Sequence, residues 1–243
     1  MQSNYHPTKM VVSAAGKINH DEFVEQISNS MTNLPKGKIS DRIKATYKGG
    51  EYREDKKLEQ IHVILGFEGL DFFDDDIYAL KIYSAIMGAG MSSRLFQEIR
   101  EKRGLVYSIH ASSRSFYDTG TFQIIAGTGE KQIKELLPVL CEELVNAPKN
   151  LTEQEIEKSK TQLKSATLMS TESTMANAAI AVHQIFTKGK LINIEETIEK
   201  IQNVTKSSIE KVANKLLSSK PTIASIGPIK NLETLDKVQN RLN

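Results

Sequence analysis

Tryptophan is absent from this 243-residue sequence, and aromatic residues make up only 6% of it. Its 32 basic and 30 acidic residues nearly cancel, which leaves a net charge of only +2. Proteins that bind nucleic acid rely on an excess of positive charge and, for single strands, on aromatic rings that stack on bases. The composition therefore gives no reason to expect nucleic acid, or an anionic membrane, as a partner.

Cysteine occurs once, as Cys141, so an intrachain disulfide is excluded. Its apolar surroundings at Leu136–Cys141 predict a buried small hydrophobe, in preference to a catalytic thiol. No apolar run approaches the roughly 20 residues of a membrane span, and no export signal is recognisable. We therefore expect a soluble, unexported protein, cytoplasmic in a bacterium or alternatively in the mitochondrial matrix.

Metal-binding and nucleotide-binding motifs are also missing. The five histidines occur in neither H-E-x-x-H nor H-x-x-E-H, the spacings that place two imidazoles on one helix face; they are His6, His20, His62, His110 and His183. Gly88-Ala89-Gly90 lacks the third glycine of a dinucleotide-binding loop, and we interpret it as a sharp turn that lets two helices pack closely. We expect no metal or other cofactor to be bound by this chain.

The sequence does contain a repeated strand–glycine–helix pattern. Met10–Ala15 predicts a short buried strand that ends at Gly16, and Asp21–Met31 predicts an amphipathic helix. The same form recurs at Thr222–Ile229, followed by a second amphipathic helix. Placing Gly16 on Gly227, an offset of 211 positions, also aligns Ile18 with Ile229, Val24 with Leu235 and Ile27 with Val238.

This repeat suggests a division of the chain. We interpret residues 1–34 as the closing strand and helix of a first unit that is otherwise missing, 35–56 as a linker and 57–243 as a second unit. A lone strand–helix pair cannot bury its apolar face or pair its sheet edges, so residues 1–34 need a sheet from elsewhere. The chain would then be a fragment, or a partner would supply that sheet. Alternatively, Met10–Ala15 joins the sheet of the main unit.

The main unit has the pattern of an α+β fold, in which an antiparallel sheet carries helices packed on one side. Strands are predicted at Ile61–Phe67, Val106–Ser113 and Thr121–Gly127. The last strand is the one at Thr222–Ile229 already described. Helices are predicted from Asp74 to Met87 and at Ser92–Lys102, Gln132–Asn146, Thr152–Ser170, Ala176–Thr187, Asn193–Gln202 and Ser207–Leu217. Thr152 with Glu155, and Ser207 with Glu210, are spaced as capping boxes.

One motif carries a resemblance to a known family. Residues Gly88 to Ser108 read GAGMSSRLFQEIREKRGLVYS, and Asp118-Thr119-Gly120 and Ala126-Gly127-Thr128 follow. This stretch resembles the second domain of insulinase/pitrilysin-type zinc peptidases, and most of all mitochondrial processing peptidase and its bacterial relatives. The resemblance continues at Gly49–Arg53, at His62–Gly69 and at Tyr5–Val11, so it extends over essentially the whole chain.

The resemblance implies two similar α/β units, with zinc held by an H-x-x-E-H motif on the first. That motif would lie upstream of Met1, so zinc is expected on a missing N-terminal half or a homologous subunit. The second unit of this family is thought to contribute an arginine and a tyrosine seven residues apart, which here are Arg100 and Tyr107.

A guanidinium can hold peptide carbonyl groups, and a phenol can donate to the oxyanion that forms on an attacked carbonyl. Alternatively, Arg100 is a solvated cation at a helix end and Tyr107 a sheet aromatic. Arg94 and Arg103 are weaker candidates, expected to be salt-bridged surface groups.

Three interpretations stay open at this point. The chain is the substrate-binding half of a zinc metalloendopeptidase that acts on peptides or unfolded polypeptides, and it is inactive alone. In the second interpretation, the chain is a non-catalytic structural or assembly subunit. In the third, it is an inactive product of a split gene. Retention of Arg100 and Tyr107 favours the first.

Overall fold

The computed structural model describes residues 5–35 and 43–243, which separate into two units. One comprises the described residues up to 44 together with 164–198, and the other comprises 45–163 and 199–243. The second unit carries the sheet, and we call it the sheet unit. None of the described helices is both long and apolar enough to cross a membrane.

Five strands form one sheet. They are β1 Gly50–Asp55, β2 Ile61–Glu68, β3 Val106–Ser115, β4 Gly120–Thr128 and β5 Thr222–Gly227. Their spatial order is β1-β5-β2-β4-β3, and every neighbouring pair is antiparallel except β1 with β5. The α+β class is therefore confirmed, with the correction that the sheet is mixed at one edge.

Strand β1 lies within the stretch 35–56 that the sequence suggested was a linker. Apart from Gly50 and Tyr52 its residues are all charged, so neither alternation nor an apolar run marks it as a strand. It forms because all six residues pair in parallel with β5, a long-range contact that local sequence does not encode. Residues 36–42 of the proposed linker lie outside the described residues.

The core of the sheet unit lies on one face of the sheet. Alternate side chains of β2 are buried, whereas His62 and Glu68 on the same strand are exposed. Helix α2 (Ile77–Gly88) packs against β3, and α7 (Lys206–Leu217) packs against β2 and α2. The helices α3 (Ile133–Asn146) and α8 (Leu235–Leu242) contact each other. The core residues of the two central strands are Ile61, Val63, Leu65, Phe67, Phe122, Ile124 and Ala126.

The remaining helices are α1 His20–Ser30, α4 Glu153–Ser170, α5 Thr174–Lys188 and α6 Ile194–Gln202, with a π-helix at Phe96–Glu101. Short 3-10 turns occur at Pro7–Lys9, Ala147–Asn150 and Ile229–Asn231.

The two predicted capping boxes have different outcomes. Thr152 and Glu155 exchange hydrogen bonds ahead of α4, with the Glu155 N–H donating to Thr152 Oγ1 at 3.3 Å, so the first box is confirmed. The second is wrong, because α7 is capped two residues earlier by Thr205 paired with Ser208. Threonine caps a helix as serine does, so the sequence offered two possible caps, Thr205 and Ser207. The structure uses Thr205, and α7 therefore begins at Lys206.

Gly88 closes α2 against the sheet. A Cβ added at Gly88 would lie 2.2 Å from the backbone nitrogen of Ala111 on β3. The turn at Gly88–Gly90 therefore permits a close approach as expected, but the approach is between a helix and a strand and not between two helices.

The predicted strand Met10–Ala15 is not formed in this chain. Residues 10–15 have no regular secondary structure and do not join the five-stranded sheet. The helix that follows, α1, is capped by the Asn19 side chain but contains no buried residue. Residues 10–15 thus form no strand, and α1 forms a helix without burying its apolar side chains.

Candidate substrate-contact site

A π-helix presents Arg100 to solvent. Residues Phe96–Glu101 have the wide spacing of this helix type, shown by the Lys102 N–H that donates to the Gln97 carbonyl at 3.0 Å. Ile99 is fully buried, whereas its neighbour Arg100 is exposed. Single turns of π-helix occur often at functional sites, where they change the direction of a side chain without ending the helix.

The guanidinium of Arg100 is supported by an aromatic ring. Its Cζ atom lies 4.7 Å from the centroid of the Phe96 ring, within range of a cation–π interaction. Among residues 5–35 and 43–243, Arg100 forms no ion pair within 4 Å. Its N–H donors form no hydrogen bond with the residues that the structure describes, so they can bind another group.

A fixed turn connects Arg100 to strand β3. Gly104 adopts a left-handed backbone with φ of +61°, and its N–H donates to the Arg100 carbonyl at 3.1 Å. The Leu105 N–H donates to the Ile99 carbonyl at 3.0 Å, and the Leu105 carbonyl accepts a 2.6 Å hydrogen bond from Thr128 Oγ1 on β4. These bonds resemble a Schellman helix end widened by the π-helix, and they fix the chain between the two candidate residues.

Tyr107 is the extra residue of a β-bulge. Val106 pairs with Thr128 and Ser108 pairs with Gly127, so Tyr107 has no partner in the β3–β4 ladder. The side chain is 62% exposed. Bulges redirect a side chain away from the regular alternation of a strand, and they are frequent beside active sites. Tyr107 is thus an exposed phenol on a rigid strand, at the other end of the turn that begins at Arg100.

Arg94, six residues before Arg100, has a structural partner. Its Nε and Nη2 atoms donate to the two carboxylate oxygens of Glu155 at 2.6 and 2.8 Å, and Nη2 also donates to the Asn150 carbonyl at 2.6 Å. Burial alone would raise the pKa of Glu155, but the hydrogen bonds from Arg94 and Thr152 outweigh it and lower that pKa to about 2. The expectation that Arg94 is salt-bridged is confirmed. The same expectation is wrong for Arg103, which is exposed and forms no ion pair within 4 Å in the described part of the chain.

The arrangement just described lies within a region that matches a known family. Residues 1–163 match the family described as Peptidase M16 inactive domain. The chain belongs to the peptidase M16 family. This confirms the resemblance to insulinase- and processing-peptidase-like proteins.

Curated M16 relatives support the same membership. An uncharacterized zinc protease of Rickettsia felis is 35% identical over 229 residues, which cover 94% of this chain and 56% of the relative. An uncharacterized zinc protease of Bacillus subtilis is 31% identical over 96% of this chain and 57% of its own length. The alpha subunit of the mitochondrial-processing peptidase of Caenorhabditis elegans is 31% identical over 94% and 51%. The chain therefore spans about half the length of the curated relatives it matches.

The fold of this chain is also seen in a solved structure. A chain of complex III2 from Candida albicans, determined with Inz-5 bound, superposes with a TM-score of 0.78 over 93% of this chain and 57% of that one. The two sequences are only 20% identical, so this likeness shows the fold alone.

A zinc ion, which the names of the M16 relatives imply, does not fit the residues described in this chain. Residues 5–35 and 43–243 contain no group of three or more histidine, cysteine, aspartate or glutamate side chains that could hold a metal. His6 Nδ1 lies 2.7 Å from Thr8 Oγ1, and His110 Nδ1 donates to the Gly88 carbonyl at 3.0 Å. His6 and His110 thus already have polar partners within the chain.

Cys141 is likewise structural. Its side chain is buried in α3, as expected, and that burial raises the pKa of the thiol to about 12. A thiol with so high a pKa is a poor nucleophile at neutral pH.

Sequence reasoning missed two residues of this region. Phe96 could have been found, because it lies four positions before Arg100 and residues at that spacing meet on a helix surface. The pairing of Glu155 with Arg94 could not, because 61 positions separate the two residues.

Proposed function

We propose that this chain is the substrate-binding half of a processing-peptidase-like zinc metalloendopeptidase, and that it acts on peptides or unfolded polypeptides only together with a zinc-bearing half. One observation carries the proposal. In an M16 inactive domain, an exposed arginine that forms no ion pair with any described residue and an exposed, bulged tyrosine flank a single fixed turn.

Arg100 is suited to hold the backbone of an extended peptide. A guanidinium offers several N–H donors in one plane, and peptide carbonyl oxygens are matching acceptors. The Phe96 ring limits the orientations of the guanidinium, so less side-chain entropy is lost when a substrate binds. Arg94 is less suited to this role, because Glu155 and Asn150 already accept hydrogen bonds from its Nε and Nη2 atoms.

Tyr107 is suited to donate a hydrogen bond to a substrate carbonyl. Its hydroxyl is exposed on a strand whose position is fixed by β4, so the donor is placed before substrate arrives. A donor that is already in place stabilises negative charge on the carbonyl oxygen as it develops during attack. In our proposal the other half would hold the zinc ion, which would lower the pKa of a bound water molecule so that this water can act as the nucleophile.

The first experiment measures peptide cleavage by this chain alone and in a mixture. The second polypeptide is the part of the Rickettsia felis zinc protease that lies outside the match. We expect no cleavage by either polypeptide alone and zinc-dependent cleavage by the mixture, abolished by a chelator. Cleavage by the isolated chain that survives chelation would contradict the proposal.

The second experiment tests the two residues in that mixture. Arg100→Ala and Tyr107→Phe should each lower kcat/KM, by about 10²-fold for a preorganised donor, without lowering the urea midpoint of the chain. Arg103→Ala is the matched control, because Arg103 is also exposed and lies in the same turn. Unchanged cleavage in both variants would favour the alternative of a non-catalytic assembly subunit.

A further inference from the structure

The sheet face opposite the core has a gap beside Tyr107. Gly127 on β4 pairs with His62 on β2 at one side and with Ser108 on β3 at the other, so these three residues form one row across the sheet. Neighbouring strands are about 4.8 Å apart, which places His62 and Ser108 roughly 10 Å from each other with no side chain between them. Both residues are exposed, and Ser108 directly follows Tyr107.

The side chain of Gln60 reaches into this gap from the turn before β2. A Cβ added at Gly127 would lie 3.2 Å from Gln60 Oε1 and 3.2 Å from Ser108 Oγ. A carboxamide, a hydroxyl and an imidazole therefore surround a residue that has no side chain. None of the three forms a side-chain hydrogen bond with another residue in the described part of the chain. We call Gln60, His62 and Ser108 the Gly127 cluster.

The same residue types elsewhere on this face are paired with each other. Gln123 and Ser112 lie opposite one another on β4 and β3, and Gln123 Nε2 donates to Ser112 Oγ at 3.5 Å. They are four positions along their strands from Gly127 and Ser108, which corresponds to roughly 13 Å. The Gly127 cluster thus differs from this pair in having no partner for its polar groups, and not simply in being polar.

We infer that the Gly127 cluster binds a substrate side chain that carries a hydrogen-bond acceptor, either a carboxylate or a carboxamide. The inference rests on the proposed function, which places the polypeptide substrate at Tyr107. The carboxamide, the hydroxyl and the imidazole each offer a hydrogen-bond donor, and no carboxylate belongs to the cluster. An apolar side chain in the same place would shield these donors from water without pairing them, so the cluster discriminates against it.

Peptides that differ at a single position test the inference in the mixture of the two polypeptides. That position carries Glu, Gln, Leu or Lys and is moved along an otherwise constant peptide. At one place on the peptide, Glu or Gln should give a kcat/KM about 10-fold above that of Leu and Lys, mainly through a lower KM. A higher value for Glu identifies a carboxylate as the ligand, and a higher value for Gln a carboxamide. The absence of any such preference would overturn the inference.

Three variants connect that preference to the cluster. Gln60→Ala should reduce it by about 3-fold or more, because one hydrogen-bonding group is lost. Gln60→Glu should reverse it in favour of Lys, which a merely structural role of Gln60 does not explain. Gln123→Ala is the matched control and should leave it unchanged. A preference unaffected by both Gln60 variants, or an equal loss in Gln123→Ala, would contradict the assignment. The urea midpoint of each variant shows that the chain still folds.

Peptide binding without zinc separates this result from that of the proposed function. After chelation, the same mixture is titrated with the Glu, Gln and Leu peptides carrying a fluorescent label, and anisotropy gives each Kd. A Kd about 10-fold lower for Glu or Gln than for Leu, lost in Gln60→Ala, supports the cluster even where zinc restores no cleavage, and then only the proposed function fails. Zinc-dependent cleavage with equal Kd values and equal kcat/KM for all peptides would sink the role of the cluster alone.

Discussion

Two arginines six positions apart show the difference between a residue that holds the fold and one that is available to a ligand. Arg94 is mostly buried, and all three of its close contacts are to acceptors of the same unit. Arg100 is exposed, and its guanidinium lies over the Phe96 ring, which offers no hydrogen-bond acceptor oxygen. In sequence both are basic residues of one helical segment. The two arginines differ in the hydrogen-bond acceptors that lie close to each guanidinium. Substitutions at the two positions can therefore be compared directly.

The largest expected effect on stability is at Arg94. Arg94→Ala removes the charged donor from the partly buried Glu155 carboxylate, which then keeps only its hydrogen bonds from Thr152, and it also removes the Arg94 donor from the Asn150 carbonyl. We therefore expect the free energy of unfolding to fall by about 2 kcal/mol. Arg100→Ala should change it by less than about 0.5 kcal/mol. Urea unfolding followed by circular dichroism measures both. Equal losses would remove the distinction between the two residues.

The turn between the candidate residues gives the next effect. Gly104→Ala should cost about 1 kcal/mol, because alanine disfavours the left-handed backbone at this position. The added Cβ itself would meet no atom within 4 Å, so the cost is one of backbone conformation alone. Gly104→Asn is the control, since asparagine tolerates this conformation and should recover part of the loss. A loss as large for asparagine as for alanine would contradict this explanation.

A pH titration sharpens the account of Arg94. Because the pKa of Glu155 is lowered to about 2 in the folded protein, its contribution is complete above its unfolded pKa of roughly 4.3 and is lost as the pH falls toward 2. Water still reaches part of this carboxylate, so we expect a contribution on the order of 1 kcal/mol. Unfolding free energies measured between pH 6 and pH 2.5 should fall less steeply for Glu155→Gln than for the unchanged chain. Identical slopes would show that the pair does not contribute.

The smallest effect concerns the ring beneath Arg100. Phe96→Leu keeps an apolar side chain but removes the cation–π interaction, which contributes roughly 0.5–1 kcal/mol at an exposed site. In the reconstituted mixture we expect KM to rise about 2- to 5-fold with little change in kcat, because the ring orients a binding group. In an Arg100→Ala background the same substitution should have no further effect on KM. A fall in kcat with an unchanged KM would argue against this role.

Much of the fold followed from local patterns in the sequence. The alternation of Ile61, Val63, Leu65 and Phe67 predicted β2, and the spacing of Thr152 and Glu155 predicted the cap of α4. Both signals are contained within a few residues, where side-chain periodicity and backbone hydrogen bonds decide the structure. The expectation of an ion pair for Arg94 was also correct, although its partner was not identified.

The features that sequence did not predict depend on distant residues. Strand β1 exists because β5, more than 160 positions away, pairs with it. The bulge at Tyr107 depends on how β3 is registered against β4, which residue types alone do not specify. The roles of Arg100 and Tyr107 stay predictions, but the bulge and the Phe96 contact give each a physical setting that the seven-residue spacing could not.

The bulge at Tyr107 also makes this side chain independent of the pairing between β3 and β4. A regular strand residue has its direction fixed by its neighbours, so changing where it points means shifting every pair of the ladder. Tyr107 has no opposite residue to shift. We expect that substitutions there change the size, acidity or hydrogen-bonding capacity of the exposed group while β3 and β4 keep their register. If the proposed function holds, Tyr107 is a position at which cleavage preference could be altered without disturbing the sheet.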